Sequence, residues 1–257
     1  MSIAIFIISL KDAVLRRGGL INELTSFGLN FEIFDAIDGR IELPREYEHL
    51  IDRNRAILEL KRSMTDGEFA CALSHIGIYK QIIESQLSGA IIFEDDARLC
   101  DDFRNVIEHI NFSRVDFLQF HYGNARVWRF GRRVINRGSH VLYRLVHNTG
   151  LASAYYLSLK GARYMVENAL PISLPADWPC SLDGLRPQIV HPRIAYTPIE
   201  VSRLSALAHD RRKAKAQMSI PDSIPERVPF RYRIRGKNPV PAHWRYFSRI
   251  FSMDIGR

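Results

Sequence analysis

The sequence predicts an α/β fold on a mainly parallel sheet, and three observations predict it. Short apolar runs alternate with helix-length amphipathic stretches. The first two runs, in "SIAIFIISL" and "NFEIFDAIDG", lie on either side of one such stretch, the spacing of a βαβ unit. A third run, "GAIIF" at 89–93, empties into three consecutive acids, Glu94, Asp95 and Asp96. Ligands of open α/β sheets bind beyond the carboxyl ends of the strands, so the triple carboxylate is expected there.

Each element follows from its residues. "SIAIFIISL" (2–10) is continuously apolar and reads as a buried strand. In "KDAVLRRGGLINELTSFGL", Leu15, Leu20, Ile21 and Leu24 form an approximate helical stripe. "NFEIFDAIDG" alternates around Phe31, Ile33 and Phe34 and stops at Asp38-Gly39, a good turn pair. Residues 40–62 are polar and charged, a loop with a short helix. "MTDGEFACALSHIGIYKQIIESQ" opens with Thr65 and Glu68 at capping-box spacing. It carries Phe69, Leu73, Ile76, Tyr79 and Ile83 on one helical side.

After the third strand, "DFRNVIEHI" reads as a helix and "VDFLQFHYG" as a strand. Residues 124–148 hold six Arg among aromatics and glycines and read as a loop or hairpin. "LASAYYLS" is a strand, and Ser158 caps the helix "LKGARYMVENAL". Pro171, Pro175, Pro179 and Pro187 break up a region holding Asp177 and Asp183, and "QIVHPRIAYTP" is a last strand.

The 257 residues, 46% of them hydrophobic, suffice for one large domain and exclude wholesale disorder. Cys71, Cys100 and Cys180 are odd in number and form no CxxC pair. That argues against a disulfide framework or structural zinc and suits a reducing compartment. The charge of +8 is uneven: 13 Lys/Arg stand against 4 Asp/Glu from Arg203 onward, and 23 against 24 before it. The chain therefore divides into a domain at 1–205 and a basic, aromatic-containing tail at 206–257. The longest apolar run, 3–10, is far short of the ~20 residues of a helical membrane crossing. No basic segment precedes it and Lys11-Asp12 follows it, so it is not read as a signal peptide.

Side chains alternate along an extended segment, so Glu94 and Asp96 are expected on one side and Asp95 on the other. Two carboxylates on one side offer hard oxygen ligands to Mg²⁺ or Mn²⁺, a cation that also grips a diphosphate. The alternative is a solvated acidic turn in which Asp96 caps the next helix. The tripeptide alone does not decide between them.

Five blocks, in order, decide more. "IISLKDAVLRR", "FDAIDGR", "MTDGEFACALSH", "AIIFEDDARL" and "AYYLSLKGARYM" together resemble glycosyltransferase family 25, the lipooligosaccharide galactosyltransferase family that includes the collagen galactosyltransferases. The likeness covers roughly 3–205. Departures are Phe93 for a usual Leu, Ala70 for a usual Gly, and Leu151-Ala152 where Gly-Thr is expected.

The resemblance implies a GT-A-like fold and inverting transfer of a hexose, commonly galactose from UDP-galactose, to a lipooligosaccharide or lipopolysaccharide core sugar. It makes the acids a D-x-D-type motif for Mn²⁺ (or Mg²⁺), with Asp96 as ligand, Glu94 assisting, and Asp95 on ribose or sugar hydroxyls. It brings Arg16 and Arg17 to the donor, where a guanidinium can clamp phosphate. Adjacent helical positions lie about 100° apart, so one of the two is expected to face the cleft. Asp38 gains a donor contact beyond its turn role, as do Ser74 and His75, which otherwise read as ordinary helix residues. An inverting transfer needs a general base. Asp177, beside Trp178 whose face could stack on a sugar, is the candidate, ahead of Asp183. A Pro-rich surface turn is the plain alternative.

The resemblance also places the enzyme in the cytoplasm, peripheral to the inner face of a bacterial inner membrane. There a lipid-linked oligosaccharide is the acceptor. The tail, with Tyr232, Trp244, Tyr246 and Phe247 among its Arg, suits anionic lipid. No nucleic acid is expected, because no recognition motif appears in the body. Two other classes stay open: a metal-dependent nucleotide-sugar phosphohydrolase and a non-catalytic basic surface-binding protein.

Overall fold

The structure, a computed structural model, describes residues 3–135, 138–198 and 251–256. The βαβ expectation is met at the start. Strand β1 (Ala4–Ser9) leads through helix α1 (Val14–Ser26) to β2 (Glu32–Asp35), and the two strands are parallel neighbours. A two-turn 3-10 helix at Arg45–Leu50 and α2 (Arg53–Leu60), capped by Asp52, fill the polar stretch that follows. Next come α3 (Asp66–Glu84) and β3 (Gly89–Glu94), which is parallel to β1 on its other side. Thr65 and Glu68 close the capping box at the start of α3.

The chain continues through β4 (Arg98–Leu99), α4 (Phe103–Glu108), β5 (Phe117–Gln119), β6 (Ala125–Trp128), β7 (Arg133–Ile135) and β8 (His140–Arg144). It ends its main body with β9 (Ala154–Ser158), α5 (Leu159–Ala169), β10 (Gln188–His191) and β11 (Ala195–Tyr196). Ser158 caps α5 by accepting from the Gly161 N–H. The central sheet has eight strands in the order β2-β1-β3-β9-β5-β10-β8-β7. The pairings make six of them point one way, with β9 and β8 reversed. The sheet is thus mixed and mainly parallel.

Both faces of the sheet are apolar, as continuous strand runs require. Phe6, Ile8, Ala90, Ile92, Tyr155 and Leu157 pack on the side of α3 and α5. Ile5, Ile7, Ile91, Phe93, Ala154 and Tyr156 pack on the side of α1 and α4. Helix α3 rests between the sheet and α5 and is buried on most of its circumference, including Glu68, Ser74 and His75.

Four local expectations change. Leu15 belongs to no apolar stripe: it sits in the first turn of α1 and is 96% exposed, while Leu20 and Leu24 are buried. The 124–148 stretch is more ordered than a loop, since β7 and β8 form an antiparallel pair that joins the main sheet through β10. The last strand splits into β10 and β11 around Pro192, which has no N–H to give a ladder. From the tail, β12 (Ser252–Ile255) pairs antiparallel with β6, so these residues rejoin the domain. The tail aromatics Tyr232, Trp244, Tyr246 and Phe247 lie outside the described residues. Among the described residues, no helix is long and apolar enough to cross a membrane.

Candidate functional site

The parallel strands β1 and β3 end side by side, and the site grows from those ends. Ser9 closes β1, and its hydroxyl donates to Asp95 Oδ2 at 2.9 Å. Arg16, in the first turns of α1, reaches back over the strand ends. Its Nε lies 2.9 Å from Asp95 Oδ1 and its Nη2 lies 2.8 Å from Asp96 Oδ2. Arg17 also turns inward, donating to Ser9 Oγ at 3.2 Å and the Leu10 carbonyl at 2.9 Å. Both arginines therefore serve the strand end: the short loop before α1 lies within reach of two long side chains from adjacent positions.

The acids do not alternate as an extended strand would. Strand β3 stops at Glu94, and the Ala97 N–H closes a turn on the Glu94 carbonyl at 3.1 Å. The turn swings Asp96 round to join Asp95 on Arg16. Glu94, still in strand geometry, faces α3 instead, with Oε1 3.4 Å from His75 Nε2. The expected pairing of Glu94 with Asp96 is thus replaced by a pairing of Asp95 with Asp96.

Both aspartates are buried, and one guanidinium does not offset their charge. Burial, with Asp96 and Glu94 adding to it, pushes the Asp95 carboxyl up to about 6, against the pull of Arg16 and Ser9. Burial acts to lower the Arg16 pKa but is outweighed by Asp95 and Asp96, which raise it. Asp96 Oδ1 is buried with no hydrogen-bond partner. A carboxylate oxygen left in that state costs free energy until a cation or donor meets it. Asp95 and Asp96 thus fit a hard divalent ion by oxygen type and by residual charge.

A loop brings in the remaining groups. The Ser153 carbonyl accepts from the Glu94 N–H at 2.9 Å, and Ser153 Oγ lies 2.6 Å from His121 Nδ1. One residue earlier, the Ala152 N–H donates to Asp177 Oδ1 at 3.1 Å. Gln119 is fully buried and donates through Nε2 to the Gly150 and Leu151 carbonyls, each at 2.9 Å. Leu151 has φ +77° and Trp178 φ +88°, left-handed positions uncommon for such side chains. Strain of this kind is held where the surroundings over-determine the backbone, often at ligand sites. Here it brackets Asp177.

The sequence-predicted residues sort clearly. Arg16, Arg17, Asp95 and Asp96 come together, and Asp177 joins them through the 150–153 loop. Asp177 is half-buried rather than in a surface turn. Trp178 does not offer a face to a sugar: it is 1% exposed, packs edge-on against Phe117 and Tyr155, and donates from Nε1 to the Thr149 carbonyl. Ser74 is fully buried, accepting from the Ile37 N–H and donating to the Ala70 carbonyl. It pins the 36–39 turn onto α3, where Gly39 has room for no side chain: a Cβ there would lie 2.5 Å from the Asp66 carbonyl oxygen. His75, also fully buried, acts on Glu94. Asp38 is exposed and held by Arg40, which lowers its pKa. Asp183 is exposed on a one-turn helix beside Tyr164.

Residues 2–179 match the model of Glycosyltransferase family 25 (LPS biosynthesis protein). The chain belongs to glycosyltransferase family 25. A provisionally named glycosyltransferase of Haemophilus influenzae is 29% identical over 164 residues, covering 63% of this chain and 56% of that one. The mouse inactive glycosyltransferase 25 family member 3 is 27% identical, over 67% of this chain and 30% of its own. Mouse procollagen galactosyltransferase 2 is 27% identical over 48% of this chain and 21% of its own. The chain spans only 21–56% of the length of these curated relatives.

His121 was not singled out from sequence, though the strand-end rule points to it: it follows β5 by two residues, and β5 runs the same way as β3. Burial, aided by Arg193 and opposed by Asp96 and Asp177, lowers its pKa to about 4. A histidine lowered on folding takes up its proton more readily when unfolded. Its contribution is full above about 6.5 and is lost as pH falls through about 4. His121 by itself therefore costs the native chain up to about 3 kcal/mol between those pH values, opposed over the same range by Asp95, whose raised carboxyl favours the folded chain as pH falls. In urea unfolding at pH 4.5 to 7, a His121→Asn variant should shift the profile towards greater relative stability at the acid end; a profile parallel to that of the native chain would contradict this.

Proposed function

We propose that this chain transfers a hexose, galactose from UDP-galactose, to a hydroxyl of a lipid-linked lipooligosaccharide or lipopolysaccharide core, with inversion. One observation carries the reading: in a family 25 chain, Asp95 and Asp96 converge on Arg16 at the ends of β1 and β3, with Asp96 Oδ1 buried and unpartnered. The galactose donor draws on the procollagen galactosyltransferase relatives, and the core acceptor on the family's lipopolysaccharide description.

Asp96 and Asp95 would hold a divalent ion, Mn²⁺ or Mg²⁺. When bound, it supplies Lewis-acid charge neutralisation to the departing diphosphate. The protein's own groups do the rest. Arg16 is 42% exposed at its side chain, long enough to shift one of its donors from the aspartates to a phosphate oxygen. Arg17 holds the β1 end rigid through Ser9 and Leu10. Glu94, held by His75, sets the outer limit of the acid block. Asp177 keeps Oδ1 on Ala152 and has Oδ2 for the acceptor hydroxyl, the role of general base. The basic tail is proposed to meet the anionic inner leaflet where the acceptor resides.

The test is a panel of UDP-sugars with acceptor glycans of graded length, run with Mn²⁺, with Mg²⁺ and after chelation. Transfer from UDP-galactose that stops on chelation is expected. Transfer that persists in chelator removes the metal, and sugar or phosphate released to water without acceptor preference favours the phosphohydrolase. No turnover with any donor would group the chain with its inactive relatives. Replacing the Arg and Lys residues of 206–250 by Ser, with the β12 strand kept, should abolish co-sedimentation with anionic liposomes; unchanged binding would end the tail's proposed role.

A further inference from the structure

We infer that Cys71, His75 and Glu94 form a second metal site, of zinc class, separate from the hard-ion site on Asp95 and Asp96. Cys71 and His75 are four residues apart on α3, so one helical face carries a thiol and an imidazole at the spacing of a helical ligand pair. Glu94 completes the set because it turns away from Asp96 and towards α3. One ligand atom from each of the three residues lies within 4.8 Å of the other two.

The distances favour an ion over a plain hydrogen bond. His75 Nε2 and Glu94 Oε1 are 3.4 Å apart, long for N–H···O, whose usual upper end is about 3.2 Å. Two ligands bonded to tetrahedral zinc at about 2.0–2.1 Å stand roughly 3.4 Å apart, the same separation. His75 is also prepared as a ligand from behind. Its Nδ1 lies 2.7 Å from the Tyr155 hydroxyl, which lies 2.6 Å from the Tyr79 hydroxyl. A partner on the second ring nitrogen orients a ligating histidine and fixes which nitrogen faces the ion. Both tyrosines are buried, and burial raises their pKa values, so each stays a neutral hydroxyl.

The donor set selects the metal. A thiolate with an imidazole prefers zinc over Mg²⁺ or Mn²⁺, which want oxygen alone. Three protein ligands would leave one tetrahedral position for a further ligand, and the Glu94 side chain is 26% exposed. An ion there would tie α3 to the end of β3 and set the edge of the acid block. The lack of a CxxC pair in the sequence does not exclude this site, because its ligands come from two elements.

Cobalt(II) titrated into the chelator-treated full chain is the probe. One equivalent should produce thiolate-to-cobalt charge-transfer absorption, displaced by zinc. Cys71→Ser should abolish the band and Cys100→Ser should keep it. Tyr155→Phe should weaken cobalt binding by about tenfold, as loss of a ligand's supporting partner does. In the unaltered chain, zinc should protect Cys71 from alkylation, read by mass spectrometry. A wild type without the band, a band surviving in Cys71→Ser, or Cys71 labelling unaffected by saturating zinc would each overturn the site. These readings need no donor sugar, so they stand or fall apart from glycosyl transfer.

Discussion

Replacing Asp96 by asparagine is expected to lower kcat/KM for transfer from UDP-galactose by about 10²–10³, the scale of losing one charge-stabilising group in a closed site. The substitution is nearly isosteric and leaves Arg16 its partner in Asp95 at 2.9 Å, so the fold should tolerate it. What disappears is a buried carboxylate oxygen that, among the described residues, no hydrogen-bond donor meets. The loss should appear chiefly as a weaker dependence on Mn²⁺ concentration, measured in initial rates. Asp177→Asn should behave differently. Its Oδ1 still accepts from Ala152, so metal affinity should hold while turnover falls by roughly 10²–10⁴, as for a lost base. Full metal-dependent turnover by Asp96→Asn would remove Asp96 from the chemistry, whatever Asp177 does.

The contrast between these two aspartates shows what was legible in the sequence. Apolar runs marked β1, β3 and β9, because strands buried on both faces leave continuous hydrophobic signatures, whereas the largely exposed edge strand β2 showed only as alternation. Thr65, Glu68 and Ser158 announced their helix starts through cap chemistry that is local in sequence. The acid block was legible as a strand end, and its neighbours by family likeness. The arrangement inside it was not. Alternation placed Glu94 with Asp96, but a turn closed by a single backbone bond at Ala97 regrouped them. Such a turn has no Gly or Pro to signal it. Trp178 misled for another reason: beside prolines it reads as exposed, yet tertiary packing against Phe117 and Tyr155 buries it. His121 and Gln119 went unnoticed because each acts on loops more than 25 residues away in sequence.

The largest stability effect is expected far from the acids, at Glu68. Its side chain is fully buried at the head of α3 and receives both Arg62 terminal nitrogens, at 2.6 and 2.7 Å. The same carboxylate accepts from the Thr65 N–H at 3.0 Å, closing the capping box. Glu68→Ala removes one member of a buried pair and one cap together, for an expected loss of about 3–5 kcal/mol. That corresponds to a melting temperature lower by roughly 10 °C in a chain of this size. The asymmetry of burial makes a sharper expectation. Arg62 is 19% exposed at its side chain and can turn to water when Glu68 is gone, whereas Glu68 has no such exit. Arg62→Ala should therefore cost at least as much as Glu68→Ala, and the double variant less than the two losses added. Urea unfolding of the three variants measures this coupling. An Arg62→Ala variant within about 0.5 kcal/mol of the native chain would show that the buried charge is neutralised by other means. If the expectation holds, loosening the head of α3 also loosens what that helix positions: the Gly39 turn, Ser74 on Ile37, and His75 on Glu94.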